Sequence, residues 1–221
     1  MFPRSWPGRP VKRALATLTL RLTGWKDTGI EPPADGKYVL IAAPHTSNWD
    51  LFFMLVFAAA HDVQLSWLGK HTLFSGLQGR LLRVLGGVPI DRRTKNNVVE
   101  QLAEEFASRD RLSLAIPPEG TRSYRDHWKS GFFYIAEAAN VPIVLTFLDY
   151  GTKQGGFGPA LDPSLGPDAV MQQIRDFYKG MRGRIPGRFG RPYLSVEASE
   201  PSDWPAEGPP SRPKGPSSPK E

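Results

Sequence analysis

His45 and Asp50 frame the segment Pro44-His45-Thr46-Ser47-Asn48-Trp49-Asp50, whose residue types and spacing suit proton transfer. If Ser47 or Asn48 caps a helix, Asp50 lies in its first turn. A turn between the two then folds the carboxylate back onto the imidazole. The carboxylate would fix the ring's tautomer and stabilise its protonated form, leaving the other nitrogen to take a proton from an alcohol. The chain has no Cys, which removes thiolate catalysis, disulfides and Cys-ligated metal centres together. No Ser sits in a nucleophile-elbow sequence. A His–Asp pair without its own nucleophile makes a substrate hydroxyl the nucleophile. Taken alone, the same spacing also fits an Asp serving the helix dipole and a His serving a loop hydrogen bond.

Two later segments carry cations. Gly86-Gly87-Val88-Pro89-Ile90-Asp91-Arg92-Arg93 reads as a short strand ending in guanidinium groups, the side chains suited to bidentate phosphate or carboxylate recognition. Pairing of Arg92 with Asp91 is the plainer alternative. Ile116-Pro117-Pro118-Glu119-Gly120-Thr121-Arg122-Ser123 leaves another strand through two prolines. Gly120 lets backbone approach a ligand closely, and Arg122 adds a second cation. Two Arg on neighbouring loops form a phosphate clamp, with Glu119 holding an Arg or bonding a substrate hydroxyl.

The elements that must position these loops alternate along the chain. Strands are predicted at Lys37–Ala43, Gln64–Lys70, Val88–Ile90, Leu112–Ile116 and Pro142–Leu148. Helices are predicted at Asp50–Ala60, Leu73–Leu85 with interruptions at Gly76 and Gly79, 95–108, Phe132–Ala139 and Asp168–Met181. Such alternation implies a single α/β domain with a largely parallel central sheet flanked by helices. In such sheets the sites form in loops beyond the strand carboxyl ends, where Pro44, Asp91 and Pro117 stand.

The four segments, in order, are His45-x4-Asp50, Gly86…Asp91-Arg92, Pro118-Glu119-Gly120-Thr121-Arg122 and Val141-Pro142-Ile143. Together they resemble the motifs of the glycerolipid acyltransferases, nearest to the bacterial 1-acyl-sn-glycerol-3-phosphate and lysophospholipid acyltransferases. The likeness covers about residues 10–150, and the stretch Trp67–Phe74 resembles the segment between the first two motifs, placing the family's lysine on Lys70. The resemblance implies transfer of a fatty acyl group from an acyl-CoA or acyl carrier protein thioester, used as co-substrate, to a glycerol hydroxyl. It makes His45 the general base and Asp50 its partner. It assigns acceptor binding to Arg92, Glu119, Gly120 and Arg122, with Lys70 as a weaker candidate. No metal and no bound cofactor are implied. Pro117 and Pro89 depart from the family's usual aromatic or aliphatic residues, which touches the acceptor's identity and not the dyad. A lyso-glycolipid or lyso-aminolipid acceptor is the enzymatic alternative. A basic lipid- or nucleic-acid-binding module is the non-enzymatic one.

Charge sets the N-terminal segment apart from a balanced remainder. The formal net charge is +6, from 28 Lys and Arg against 22 Asp and Glu. Residues 1–26 carry Arg4, Arg9, Lys12, Arg13, Arg21 and Lys26 and no acid, which accounts for the whole excess. Val11, Ala14, Leu15, Leu18, Leu22 and Trp25 share one helical arc, with Leu20 outside it. This is the pattern of a basic amphipathic helix lying in lipid headgroups, and packing on its own domain is the alternative. A nucleic-acid partner is not expected. The partners expected are an anionic membrane surface, a lysophospholipid acceptor and acyl carrier protein, with peripheral attachment at the cytoplasmic face. The longest apolar run, Leu51–Ala60, falls well short of the roughly 20 residues a spanning helix needs. Residues 27–200 form the predicted acyltransferase domain. Residues 201–221 hold seven Pro and read as a disordered tail.

Overall fold

Residues 9–28, 30–84, 86–91 and 95–194 are described by a computed structural model of the chain. Within them the elements run α1 (Arg9–Thr23), β1 (Lys26–Asp27), β2 (Lys37–Ala42), α2 (Asn48–Ala60), β3 (Leu65–Lys70) and α3 (Gly76–Val84). There follow β4 (Gly87–Ile90), α4 (Lys95–Ser108), β5 (Leu112–Ile116), α5 (Gly131–Ala139), β6 (Ile143–Asp149), β7 (Gln154–Leu161) and α6 (Pro167–Tyr178). The sheet order is β1-β7-β6-β2-β5-β3-β4. The five strands from β6 to β4 run parallel, while β7 is antiparallel to β6 and carries β1 on its outer edge. This is the expected α/β domain.

Period-two alternation assigns the two faces. Val39 and Ile41 of β2 join Leu112, Leu114, Ile143 and Leu145 in the main core, where Leu102 and Phe106 of α4, Phe132 and Phe133 of α5, and Val170 and Ile174 of α6 cover them. Tyr38 and Leu40 point the other way, with Ala115, Val144 and Phe157, toward Met54 of α2. Strands β2 and β5 are direct neighbours, Ile41 standing beside Ile116. The loops that follow them, at His45 and Glu119, therefore emerge side by side. The Ala43–Pro44 bond leading into the first loop is cis.

Several expectations change. Strand β7 is not among the predicted strands; its segment Gln154-Gly155-Gly156-Phe157-Gly158-Pro159 holds three Gly and a Pro. It forms because the β6 ladder satisfies its backbone, and its glycines admit neighbouring rings. A Cβ on Gly155 would lie 2.7 Å from Phe57, and one on Gly158 would strike the Phe177 ring. The segment Leu73–Leu85 is interrupted at Gly76 as expected, a 3₁₀ turn, His71–Phe74, preceding α3, but α3 runs on through Gly79. Gly76 takes φ +57, a left-handed value that interrupts the helical path. Helix α6 stops at Tyr178 rather than Met181.

Helix α1 divides its surface. Ala16 and Leu20 are buried against α2, so the residue outside the predicted arc is the one that docks. Val11, Leu15, Leu18 and Leu22 stay exposed. Trp25 does not belong to that arc. Gly24 turns the chain with φ +74, and Trp25 is buried against Phe53 and Phe57. The predicted tail, residues 201–221, lies outside the described residues.

Candidate active site

A capping box builds the first loop. Ser47 caps α2, its hydroxyl oxygen accepting from the Trp49 amide at 3.2 Å. Asp50, the third residue of the helix, folds back so that Oδ2 accepts from the Ser47 amide at 2.7 Å and the Thr46 amide at 2.6 Å. A carboxylate here both satisfies open amides and sits favourably in the helix dipole. With His45 two residues before the cap, this fold-back puts Asp50 Oδ2 3.9 Å from His45 Nδ1. That is longer than a hydrogen bond, as apo catalytic pairs often are. The five-residue spacing is thus the geometry of a capped helix start with an imidazole ahead of it.

The other oxygen of Asp50 is held too. Oδ1 accepts from the Ser47 hydroxyl and from the Tyr150 hydroxyl, each at 2.9 Å. Four donors therefore fix a carboxylate that is only 3% exposed, with the geometry of a charged acceptor. Nδ1 of His45 faces this carboxylate, so Nε2 is the ring atom left for a substrate. Burial pushes the His45 imidazole below its ordinary value, Asp50 opposes this, and Arg122 adds to it. The ring is neutral near pH 7, the state a general base requires.

Glu119 lies under the same loop. It is 1% exposed, and Oε1 accepts from the His45 amide at 2.8 Å while Oε2 accepts from the Gly190 amide at 3.4 Å. Burial pushes its carboxyl up to about 8, and Asp50 adds to the rise. The carboxylate that faces His45 is that of Asp50, held by its four donors. The Glu119 side chain is not among the residues that line the cavity beside this loop. It ties the His45 loop to the segment after α6.

A cavity of about 730 Å³ starts at these loops. His45, Arg122 and Lys129 line its polar part. Met54, Phe57 and Ala58 of α2, with Leu40, Leu65 and Phe157 of the sheet, line its apolar part. Three turns of α2 separate Asn48 from Ala58, about 15 Å at the usual helical rise. Gly120 takes φ +66, and a Cβ there would strike the Lys129 chain at 2.7 Å. Gly120 thus makes room for a second cation beside Arg122. Among the described residues, no group of three His, Cys, Asp or Glu is arranged to hold a metal.

Of the predicted site residues, His45, Asp50, Gly120 and Arg122 come together at this cavity. Arg92 lies outside the described residues. Lys70 closes β3 opposite Ile90. Sequence reasoning missed Lys129 and Tyr150. Neither has a local pattern to mark it: Lys129 stands at the far end of the loop that carries Arg122, and Tyr150 reaches the site from beyond β6.

The family described as Acyltransferase matches residues 25–146, more than half of the chain. The match includes His45, Asp50, Glu119, Arg122 and Lys129. No curated protein matches the sequence. Among solved structures, the chain is similar to the crystal structure of the 1-acyl-sn-glycerophosphate (LPA) acyltransferase PlsC from Thermotoga maritima. Identity is 14%, 76% of each chain is covered, and the TM-score is 0.51. At that identity the likeness is one of fold.

Proposed function

Because the chain belongs to the acyltransferase family, we propose that it transfers a fatty acyl group from a CoA or acyl carrier protein thioester to a hydroxyl of 1-acyl-sn-glycerol-3-phosphate, giving phosphatidate. The observation that carries this reading is the two-part cavity: a neutral imidazole and two cations at one end, an apolar chamber under α2 beyond them. A glycerol phosphate suits the first part and a fatty chain the second. The volume falls within the roughly 300–1,000 Å³ of small-molecule sites.

In the proposed reaction His45 Nε2 removes the proton of the acceptor hydroxyl as its oxygen attacks the thioester carbonyl. Asp50 stabilises the imidazolium that forms. The tetrahedral oxyanion collapses, the carbon–sulfur bond breaks, and Nε2 returns the proton to the departing thiolate. Arg122 and Lys129 hold the acceptor phosphate, which keeps the glycerol hydroxyl in line with His45.

Both substrates are amphiphiles, and the surface offers a matching docking face. Val11, Leu15, Leu18 and Leu22 of α1 are exposed, as are Trp49, Leu51, Phe52 and Leu55 of α2, and α1 contains Arg13 and Arg21 but no acid. No described helix is long and apolar enough to cross a membrane. Peripheral attachment to an anionic bilayer, on the cytoplasmic face where thioester donors are made, completes the proposal.

The test is purified protein on vesicles with an isotope-labelled acyl thioester and a panel of lyso-lipids, read by mass spectrometry. Labelled phosphatidate should form at least about tenfold faster than product from phosphate-free monoacylglycerol. Arg122→Ala should raise KM for the phosphate-bearing acceptor about tenfold, since a clamp binds ground and transition states alike. Equal use of the phosphate-free acceptor, with KM unmoved in Arg122→Ala, would replace the acceptor by another lyso-lipid.

A further inference from the structure

Tyr150 follows β6, a hundred residues beyond the carboxylate it touches. Its hydroxyl donates to Asp50 Oδ1 at 2.9 Å. Its ring stands edge-on to Trp25, with centroids 4.9 Å apart. Trp25 in turn packs tilted against Phe53, with centroids 4.7 Å apart, one turn along α2 from Asp50. The guanidinium of Arg184 lies 5.8 Å from the centre of the Tyr150 ring and 5.4 Å from that of Trp49. The Tyr150 backbone is also tied, its amide donating to the Arg182 carbonyl at 2.9 Å. The hydroxyl is thus aimed by contacts from three separate parts of the chain: the foot of α1, the helix α2 and the segment after α6.

We propose that Tyr150 is a positioning residue for the dyad, and that Trp25 couples the docking of α1 to it: Trp25 fixes the Tyr150 ring, the ring fixes the hydroxyl, and the hydroxyl fixes Asp50 toward His45. The amides of Thr46 and Ser47 and the Ser47 hydroxyl belong to the same turn as Asp50 and move with it. Tyr150 is the one Asp50 donor above that comes from outside that turn, so it ties the dyad to the rest of the fold. It also draws charge from the carboxylate that faces His45. The charged and titratable groups around this chain of contacts are His45, Asp50, Glu119, Arg122 and Arg184. A helix with an exposed apolar face, followed directly by the tryptophan that supports the dyad from outside, links seating on a surface to the geometry of proton transfer.

Tyr150→Phe removes the hydroxyl and keeps the ring. It should lower kcat about tenfold with both KM values unchanged, the loss expected for one hydrogen bond to a charged group. With the donor gone, more of the Asp50 charge falls on His45, so the acidic limb of the kcat/KM profile should move to higher pH. Trp25→Leu keeps apolar bulk but loses the ring edge, and should show the same displacement with a smaller drop in kcat. The double variant should be no slower than Tyr150→Phe, because both changes act through one hydroxyl. Wild-type kcat and an unmoved limb in Tyr150→Phe would overturn the positioning role. Fully additive losses would overturn the coupling. The role rests on the acyl-transfer reading, so the His45 ring is also titrated by NMR in wild type and Tyr150→Phe without substrate. A displaced titration in a protein that transfers no acyl group would fault the reading and keep the contact. An unmoved titration in an active protein would fault the contact alone.

Discussion

Helix α2 has a histidine and a carboxylate partner at each end, and the two pairs behave in opposite ways. At the N-terminus, His45 lines a cavity and stands 3.9 Å from Asp50, and its imidazole is pushed down by burial. At the C-terminus, His61 caps the helix. Its Nε2 lies 2.7 Å from Asp27 Oδ2 and its Nδ1 3.1 Å from Glu31 Oε2. Those hydrogen bonds, Asp27 first, raise its imidazole above the ordinary value. The helix dipole favours the same division, opposing a cation at the start and welcoming one at the end. The first histidine has a nitrogen left for chemistry, whereas the second has both nitrogens engaged by acids. His–carboxylate proximity therefore identifies a base only when one ring nitrogen is unspent and the ring is neutral. His61 instead clamps the segment after α1 onto the domain, with its edge on Phe157, 5.1 Å away at the cavity's far wall.

The largest effect expected to sharpen this contrast comes from the carboxylates. Asp50→Asn should cut kcat about a thousandfold, because an amide can neither support the imidazolium nor accept from all four donors. Asp27→Asn should leave kcat within about twofold of wild type. Comparable losses in the two variants would erase the distinction between the ends of α2. The smallest effect is on stability. The folded His61 imidazole is raised above its ordinary value of 6.5. Its clamp is therefore fully present below that value, down to the carboxylate range, and is lost as pH rises through the raised value. His61→Gln should cost about 1 kcal/mol in denaturant melts near pH 6, modest because Asp27 and Glu31 are partly exposed. The difference should shrink as pH rises through the raised value. A gap that widens with rising pH would mean that His61 is held neutral.

Which parts were legible in the sequence follows from how far each contact reaches. The His45–Asp50 pair was legible because a capping box is local: the cap, the fold-back and the imidazole lie within six residues. The α/β order was legible because each strand and helix keeps its own period. Strand β7 was not, since its glycines answer to Phe57 and Phe177 rather than to local propensity. Leu20 was the exception in the projection of α1, yet it is the docking residue. A helix with two apolar edges, one for the protein and one left exposed, does not resolve into a single arc. Tyr150 and the Gly190 amide on Glu119 arrive from segments with no motif of their own, and Lys129 stands past the end of the motif that carries Arg122. Glu119 itself was visible as a residue but not as the brace of the His45 loop, because its partners are backbone amides.

The most direct measurement is the rate of acyl transfer from a labelled thioester to lysophosphatidate by wild type, His45→Ala and His61→Ala, at one pH and with equal folded fractions verified by circular dichroism. The predicted result is transfer by wild type, a loss on the order of a thousandfold in His45→Ala, and at most about a twofold change in His61→Ala. Full turnover by His45→Ala, or equal loss in both variants, would contradict the assignment of His45 as the base.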